Sequence, residues 1–233
     1  MTRVATVDCM DPRRTIPAEV GATDRLKLRT AGGFVGGVKR EMPELFRRFD
    51  VREVRSRLHE DCGAIKVVAA EIKHPGSISA AFHNFVEPFK RFVNIPDTEL
   101  LQDVGKLLQY SAASKFMRNP HGISCTVEPN VGSVTGERVL LLMAPTIGKF
   151  TDVMKPLNLS PESTYVLTLV PGQVSTMATD VQLAVSHVGI KRIVAFTGAD
   201  RAKAVETFYR AMRRGEVQVP ISQNRVEIHH KLG

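Results

Sequence analysis

Short apolar runs rich in β-branched residues alternate along this chain with longer segments of helical spacing. The first run is RVATVDCM, which ends near Pro12, the second is DRLKLRTAGG, which stops at Gly32-Gly33, and the third is VREVRSRLH. GAIKVVAAEIK follows with the apolar spacing of a helix. This alternation predicts an α/β fold in which a mostly parallel β-sheet is flanked by helices. In such sheets, ligands collect at the carboxyl ends of the strands.

Other segments add helices and a hairpin to this prediction. VGGVKREMPELFRRFD, ISAAFHNFVEPFKRFV and DTELLQDVGKLLQYSAASKFMR have helical spacing. GISCTVEPNVGSVTGERVLLLM is predicted to form a β-hairpin that turns at TGE. Cys125 lies within that hairpin, and we interpret it as a core residue because a lone cysteine usually packs as a small hydrophobe.

The second half of the chain resembles the first in its order of runs. RVLLLMAPTIG is similar to RVATVDCMDPR, and ESTYVLTLVPG is similar to TDRLKLRTAGG. The blocks predict two units, residues 1–137 and residues 138–233, that form an internal pseudo-dimer. Ala144 then aligns with Cys9 and Gly198 with His59, so the second unit would be a degenerate repeat. The alternative is that any two strand–helix–strand units look alike in such a comparison.

Composition restricts the class of protein. The chain has 233 residues, of which 43% are apolar, and this suits one large domain or two small ones. No run of about 18 apolar residues occurs, so no membrane span is expected. The first residues, MTRVATVDC, lack the apolar core of a signal peptide, which favours the cytoplasm. The three cysteines do not suggest a disulfide framework, so reduced thiols are expected.

The net charge of +8 has two interpretations. A basic surface can bind nucleic acid, or it can simply be a solvated surface. Acidic residues interleave the basic ones, and the chain has no Trp and three Tyr, so the stacking pattern of single-strand binders is missing. We therefore expect no nucleic-acid partner.

Two short motifs carry the chemistry. Cys9-x-Asp11-x-Arg13 ends the first strand, and because residues two apart on a strand point the same way, Cys9 and Asp11 can face one site. Arg13 follows closely enough to pair with the carboxylate of Asp11. His59-x-x-Cys62 lies at the end of the third strand, at a spacing suited to two ligands of one ion.

The two motifs together predict a zinc site. Cys9, His59 and Cys62 would supply two thiolates and an imidazole, and the open fourth position is typical of catalytic rather than structural zinc. Asp11 would either fill that position or bond to the metal-bound water, and the sequence leaves both alternatives open. Each residue alone has a simpler interpretation as a core thiol, a surface histidine or a turn.

At these motifs the sequence resembles the β-class carbonic anhydrases, over roughly residues 3–142. The resemblance is carried by CMDPR, LRTAGG and HEDCG. It implies that Cys9, His59 and Cys62 bind zinc and that Asp11 and Arg13 form a catalytic pair. It also implies substrate contacts from three glycines, which are Gly32, Gly33 and Gly63. The sequence departs from the family pattern at Thr30, where Asn is usual, and at Arg57 and Leu58.

The function that the resemblance implies is reversible hydration of CO2 to bicarbonate and a proton by zinc-bound hydroxide. The alternatives are hydrolysis of carbonyl sulfide or carbon disulfide, and a zinc-bearing scaffold or shell protein without turnover. The family builds its cleft between two subunits, so either a homo-oligomer or the internal pseudo-dimer is expected. The cytoplasm, or a carboxysome-like compartment within it, is the expected location. The proton shuttle is left open among the histidines.

Overall fold

A computed structural model describes residues 3–14, 25–33, 49–74, 123–143, 148–168, 180–197 and 225–230. These residues contain two four-stranded sheets, and every strand pairing in both sheets is parallel. Parallel sheets with helical segments between their strands confirm the predicted α/β class.

The first sheet has the strand order β2-β1-β3-β4. The strands are β1 (Arg3–Cys9), β2 (Arg25–Thr30), β3 (Val51–His59) and β4 (Ile123–Glu128). Helix α1 (Gly63–Lys73) follows β3 after a short turn. Both motifs therefore lie at the carboxyl ends of neighbouring central strands, because β1 ends at Cys9 and β3 ends at His59.

The second sheet has the order β6-β5-β7-β8. In both sheets the strand that comes first along the chain lies between the second and the third. Its strands are β5 (Val139–Met143), β6 (Thr164–Thr168), β7 (Arg192–Thr197) and β8 (Arg225–His230). Helix α2 (Phe150–Met154) lies between β5 and β6. The boundary between residues 137 and 138 stays a prediction.

The predicted hairpin over GISCTVEPNVGSVTGERVLLLM is wrong. Strand β4 pairs with β3 in the first sheet, whereas β5 lies between β6 and β7 in the second, and both pairings are parallel. All five residues of β5 are buried. A strand covered on both faces is typical of the centre of a parallel sheet and not of a hairpin arm with one wet face.

The core of the second sheet forms because β5 contributes an unbroken apolar run. Val139, Leu141 and Met143 pack with Phe150 and Met154 of α2. Val166 of β6 and Val194 of β7 belong to the same buried cluster. Helix α2 is thereby held against one face of the sheet by burial of apolar surface.

The two sheets meet where β2 lies beside β6. The amide of Val166 donates to the carbonyl oxygen of Met10 at 2.9 Å. The Thr168 hydroxyl accepts from the amide of Arg29 at 2.9 Å and donates to the carbonyl of Arg29 at 3.0 Å. Residue Met10 directly follows the first metal-motif cysteine, so this junction lies next to the candidate site.

The polar face of β2 is turned toward Phe150 of α2 and is buried. Lys27 and Arg29 are both fully buried and lie over the Phe150 ring, 5.9 Å and 5.3 Å from its centroid. Lys27 Nζ donates to the carbonyl of Gly148 at 3.1 Å. The alternation of apolar and polar residues that predicted β2 thus corresponds to two buried faces. The polar face contacts the Phe150 ring through the cationic side chains of Lys27 and Arg29.

Most of the other predicted helices, including those over ISAAFHNFVEPFKRFV and DTELLQDVGKLLQYSAASKFMR, lie outside the described residues. Within the ranges given above, no helix combines the length and apolarity that crossing a membrane would need.

Candidate metal centre

Cys9, His59 and Cys62 come together as one buried cluster. Cys9 ends β1, His59 ends β3, and Cys62 directly precedes α1. The two Sγ atoms lie 4.0 Å apart, and the potential ligand atoms of the three residues all lie within 4.8 Å of one another. The structure therefore brings together all three predicted ligands, in a group that could hold a metal ion.

The electrostatics of the cluster favour a thiolate at Cys9. The hydrogen bond from Cys62 lowers the pKa of Cys9 well below its usual value, with further help from His59, although burial opposes it. The pKa of Cys62 is raised in turn, first because of its hydrogen bond to Cys9 and then because of burial. A cation would relieve this conflict, since thiolates bind metals only after losing their protons.

His59 is oriented by a residue that sequence reasoning missed. Its Nδ1 lies 2.7 Å from Oδ1 of Asn130, and Nδ2 of Asn130 donates to the Glu60 carbonyl at 2.7 Å. Because Nδ2 is committed as a donor, Oδ1 is the acceptor and His59 Nδ1 carries the proton. The other ring nitrogen, Nε2, is then the one with a lone pair suited to a metal.

The pKa of His59 is raised above its ordinary value. Burial by itself lowers it, but the charge of Cys9 and a hydrogen bond with Cys9 outweigh the burial. The imidazole of His59 and the thiolate of Cys9 thus stabilise each other's charged form.

Asp11 and Arg13 form the predicted pair. Arg13 Nε donates to Oδ1 of Asp11 at 2.9 Å and Arg13 Nη2 donates to Oδ2 at 2.6 Å, while the Arg13 amide also donates to Oδ1 at 2.9 Å. Burial raises the pKa of Asp11, but these bonds from Arg13 lower it overall, so the carboxylate is ionised. Both oxygens face the guanidinium, so the carboxylate pairs with Arg13 in this conformation.

The predicted glycines differ in their surroundings. Gly32 and Gly33 form a buried turn after β2, and both have φ of 69°. A Cβ on Gly33 would lie 2.9 Å from the carbonyl oxygen of Arg57 and 3.1 Å from the amide nitrogen of Cys9. Gly63, in contrast, is exposed and has open space around it. Substrate contact by these glycines stays a prediction, but Gly33 is required by the close packing against Cys9.

Arg57, a departure from the family pattern, pairs with a buried carboxylate that sequence reasoning also missed. Asp8 and Arg57 are register partners on β1 and β3. Arg57 donates through Nε and Nη2 to the two oxygens of Asp8 at 2.6 Å and 2.7 Å. Asp8 directly precedes Cys9, and Arg57 lies two residues before His59. The sequence would have revealed their pairing only if the register of β1 with β3 had been known.

Tyr165 brings the second sheet to the site. It is a buried residue of β6, next to Val166, which bonds to Met10. Burial, and then the charge of Asp11, raise the pKa of Tyr165 to about 12. A neutral aromatic side chain from the second sheet therefore lies within electrostatic reach of the Asp11–Arg13 pair.

Among the described residues, the group that could hold a metal consists of Cys9, His59 and Cys62 alone. His74 and His187 are exposed. His229 and His230 end β8 in the other sheet, and Cys125 lies on β4 opposite Ser56. His83 and His121 lie outside the described residues. The proton shuttle stays open, and the core role of Cys125 stays a prediction.

No protein-family profile and no curated protein matches this sequence. Among solved structures, a carbonic anhydrase from Glaciozyma antarctica is 20% identical, with a TM-score of 0.35, and the match covers 54% of this chain and 75% of that one. The β-carbonic anhydrase CcaA is 16% identical, with a TM-score of 0.39, over 55% of this chain and 75% of its own. The case for a function therefore depends on the residues of the site.

Proposed function

We propose that this chain is a zinc-dependent carbonic anhydrase that interconverts CO2 and bicarbonate. The observation that carries the proposal is the convergence of Cys9, His59 and Cys62 beside the Asp11–Arg13 pair. Three ligands leave one coordination position open, and a separate, ionised carboxylate lies two residues from one ligand. A purely structural metal site has no need of such a pair.

The geometry of the thiols fits zinc. Two thiolates bound at about 2.3 Å with tetrahedral angles have sulfur atoms about 3.8 Å apart. The Sγ atoms of Cys9 and Cys62 lie 4.0 Å apart before any metal has drawn them together. Zinc bound by these ligands would act as a Lewis acid that lowers the pKa of a coordinated water to roughly 7.

Asp11 would orient the attacking group. Because Arg13 keeps its carboxylate ionised, Asp11 can accept a hydrogen bond and cannot donate one. A hydroxyl that donates to Asp11 has its lone pair fixed in direction, and alignment of this kind lowers the barrier for attack on CO2. The side chains of Cys9, His59 and Cys62 are all buried, so bulk water is excluded from the ligands.

The second sheet is proposed to be a degenerate repeat that completes the cleft, as an internal pseudo-dimer. Support comes from the identical strand order of the two sheets, from the junction of β2 with β6, and from the position of Tyr165. The position aligned with Arg13 is held by Gly148, so the second unit lacks its own guanidinium. Further association into homo-oligomers and residence in the cytoplasm or a carboxysome-like compartment stay predictions.

Stopped-flow CO2 hydration by the zinc-loaded protein tests the proposal, at about pH 7.5 and about pH 8.5, because both values lie above the pKa of roughly 7 expected for a water coordinated to zinc. We expect turnover in the wild type. Cys9→Ser should lose zinc and activity together, whereas Asp11→Asn should keep zinc and lose roughly 100-fold or more in kcat/KM.

Asp61→Asn is the matched control, because Asp61 also contacts Arg13, at 3.4 Å, but is exposed. Asp61 has φ of 54°, a conformation that Asn tolerates, so this variant should remain active. Zinc binding without CO2 turnover at either pH would contradict the proposal. Turnover of carbonyl sulfide or carbon disulfide by that protein would support the hydrolase alternative, and no turnover of any of them would support the scaffold.

A further inference from the structure

A carboxylate of the second unit reaches the turn beside the candidate metal site. Asp180 is buried with 5% of its surface exposed, and its Oδ2 accepts a hydrogen bond from the amide of Ala31 at 3.3 Å. The two residues are 149 positions apart in sequence. Ala31 is the first residue of the Ala31–Gly33 turn, which directly follows β2.

The Ala31–Gly33 turn fixes the backbone around Cys9. Gly33 is so close to the Cys9 amide that a Cβ there would lie 3.1 Å from it. The carbonyl of Thr30, just before the turn, accepts from the Met10 amide at 2.8 Å, just after Cys9. Arg29 Nη1 donates to the Cys9 carbonyl at 2.7 Å. A displacement of the turn would therefore displace the backbone that holds the Cys9 thiol.

The far side of the turn is also bonded. Ser56 Oγ donates to the carbonyl of Gly33 at 3.2 Å, which ties the end of the turn to β3. Asp180 binds the start of the turn, so the turn is held at one end by its own sheet and at the other by the second unit. The start of the turn has no other side-chain acceptor among the described residues.

Asp180 is a carboxyl group that is buried away from water. Within the described part of the chain no lysine or arginine is paired with it, and its hydrogen bond to Ala31 is its recorded polar contact. Burying a carboxylate without a cation is costly, and an apolar residue would cost less at a position that only needs to be filled. A carboxyl group at this position is therefore explained better by its hydrogen bond with the Ala31 amide than by packing.

We infer that Asp180 is a positioning residue for the metal site: it accepts the Ala31 amide and holds the Ala31–Gly33 turn against the backbone of Cys9. The second unit then has a part in metal binding although it lacks the ligands. This inference rests on the proposed metal site and does not depend on which substrate is turned over.

Metal affinity tests this inference, measured by competition of Zn²⁺ against a chelator and by the thiolate-to-metal absorption of the Co²⁺ form. Asp180→Ala should weaken Zn²⁺ binding by about 10–100-fold, the range for partners that support metal ligands, and should alter the Co²⁺ spectrum. Asp180→Asn keeps an amide oxygen at the same place and should bind Zn²⁺ within about threefold of wild type.

Leu141→Ala is the matched control, because Leu141 is fully buried in the second sheet and belongs to its core cluster. It should lower the melting temperature without changing the Co²⁺ spectrum or the Zn²⁺ affinity. Should Asp180→Ala fail to fold, Asp180→Ser, whose side chain is too short to reach the amide, is compared with Asp180→Asn instead.

Wild-type Zn²⁺ affinity in Asp180→Ala or Asp180→Ser, or equal losses in these variants and in Asp180→Asn, would overturn the inference. Absence of metal binding by the wild type would overturn it together with the metal site. Normal metal binding without CO2 hydration would contradict only the proposed function, and the comparison of the Asp180 variants would still decide the positioning role.

Discussion

His59 depends on a hydrogen bond that fixes which ring nitrogen can bind a metal. Asn130 follows β4, which is the register neighbour of β3, so the order of the strands places the amide beside the imidazole. Asp11 depends in the same way on Arg13, and Asp8 on Arg57. His59 and Asp11, which would act on metal and substrate, are thus each held in place by the side chain of a polar neighbour.

Removal of the Asn130 side chain should weaken zinc binding. In Asn130→Ala, Nδ1 of His59 loses its acceptor, so the ring can rotate or take the other tautomer, and we expect a loss of about 10–100-fold in Zn²⁺ affinity. Asn130→Asp keeps an acceptor for Nδ1 and should retain most of the affinity. Chelator competition measures both, and an unchanged affinity in Asn130→Ala would show that the ring is oriented by something else.

At the scale of elements, the site is built from the carboxyl ends of β1 and β3 and from the Ala31–Gly33 turn that follows β2. Gly33 is the point of closest approach, since a Cβ would lie 2.9 Å from the Arg57 carbonyl of β3 and 3.1 Å from the Cys9 amide of β1. Only glycine allows both this approach and the φ of 69°.

Three glycine-to-alanine variants separate these two requirements. Gly33→Ala combines positive φ with the clash and should lower the free energy of unfolding by at least about 2 kcal/mol and release the metal. Gly132→Ala has φ of 73° but open space, so about 1 kcal/mol is expected. Gly63→Ala, at the start of α1 with open space around it, should be neutral or slightly stabilising. Chemical denaturation measures all three, and equal effects would refute a role for the clash.

The sequence predicted the elements that carry the ligands but not how β4 and β5 are used. Cys9, His59 and Cys62 were predictable because motif spacing and strand ends are local properties. The hairpin prediction was wrong because turn residues near TGE suggested pairing of neighbours, although VLLLM is the unbroken apolar run of a central parallel strand. The roles of Asn130 and Asp180 could not be predicted, because their partners are distant in sequence. Asn130 lies 71 positions from His59, and Asp180 lies 149 positions from Ala31.

At the scale of the whole molecule, polar groups are concentrated where the two sheets meet. Lys27 and Arg29 are buried there against Phe150, Thr168 bonds to the backbone of Arg29, and Asp180 bonds to Ala31. Such groups stabilise one arrangement of the halves because they are satisfied only in that arrangement, whereas apolar surfaces can pack in several ways. The stability of the junction should therefore depend on charge.

Asp180 should make this dependence measurable as a function of pH. Burial, together with the charge of Cys9, raises the pKa of Asp180 to about 7, although the Ala31 amide opposes the shift. Between the ordinary carboxyl pKa of about 4 and this value, the folded state binds a proton that the unfolded state does not. The contribution of Asp180 to the free energy of unfolding is then fully present below about pH 4 and is lost as the pH rises through about 7.

Comparison of wild type with Asp180→Asn isolates that contribution, because Asn keeps the acceptor and cannot ionise. The zinc-loaded variant should melt higher than the zinc-loaded wild type, and this gap should widen by several degrees between about pH 5 and about pH 8, a change on the order of 3 kcal/mol. Thermal denaturation across this range measures the difference. A difference in melting temperature that stays constant with pH would mean that Asp180 does not titrate between these values. The pH dependence predicted for the junction would then be wrong.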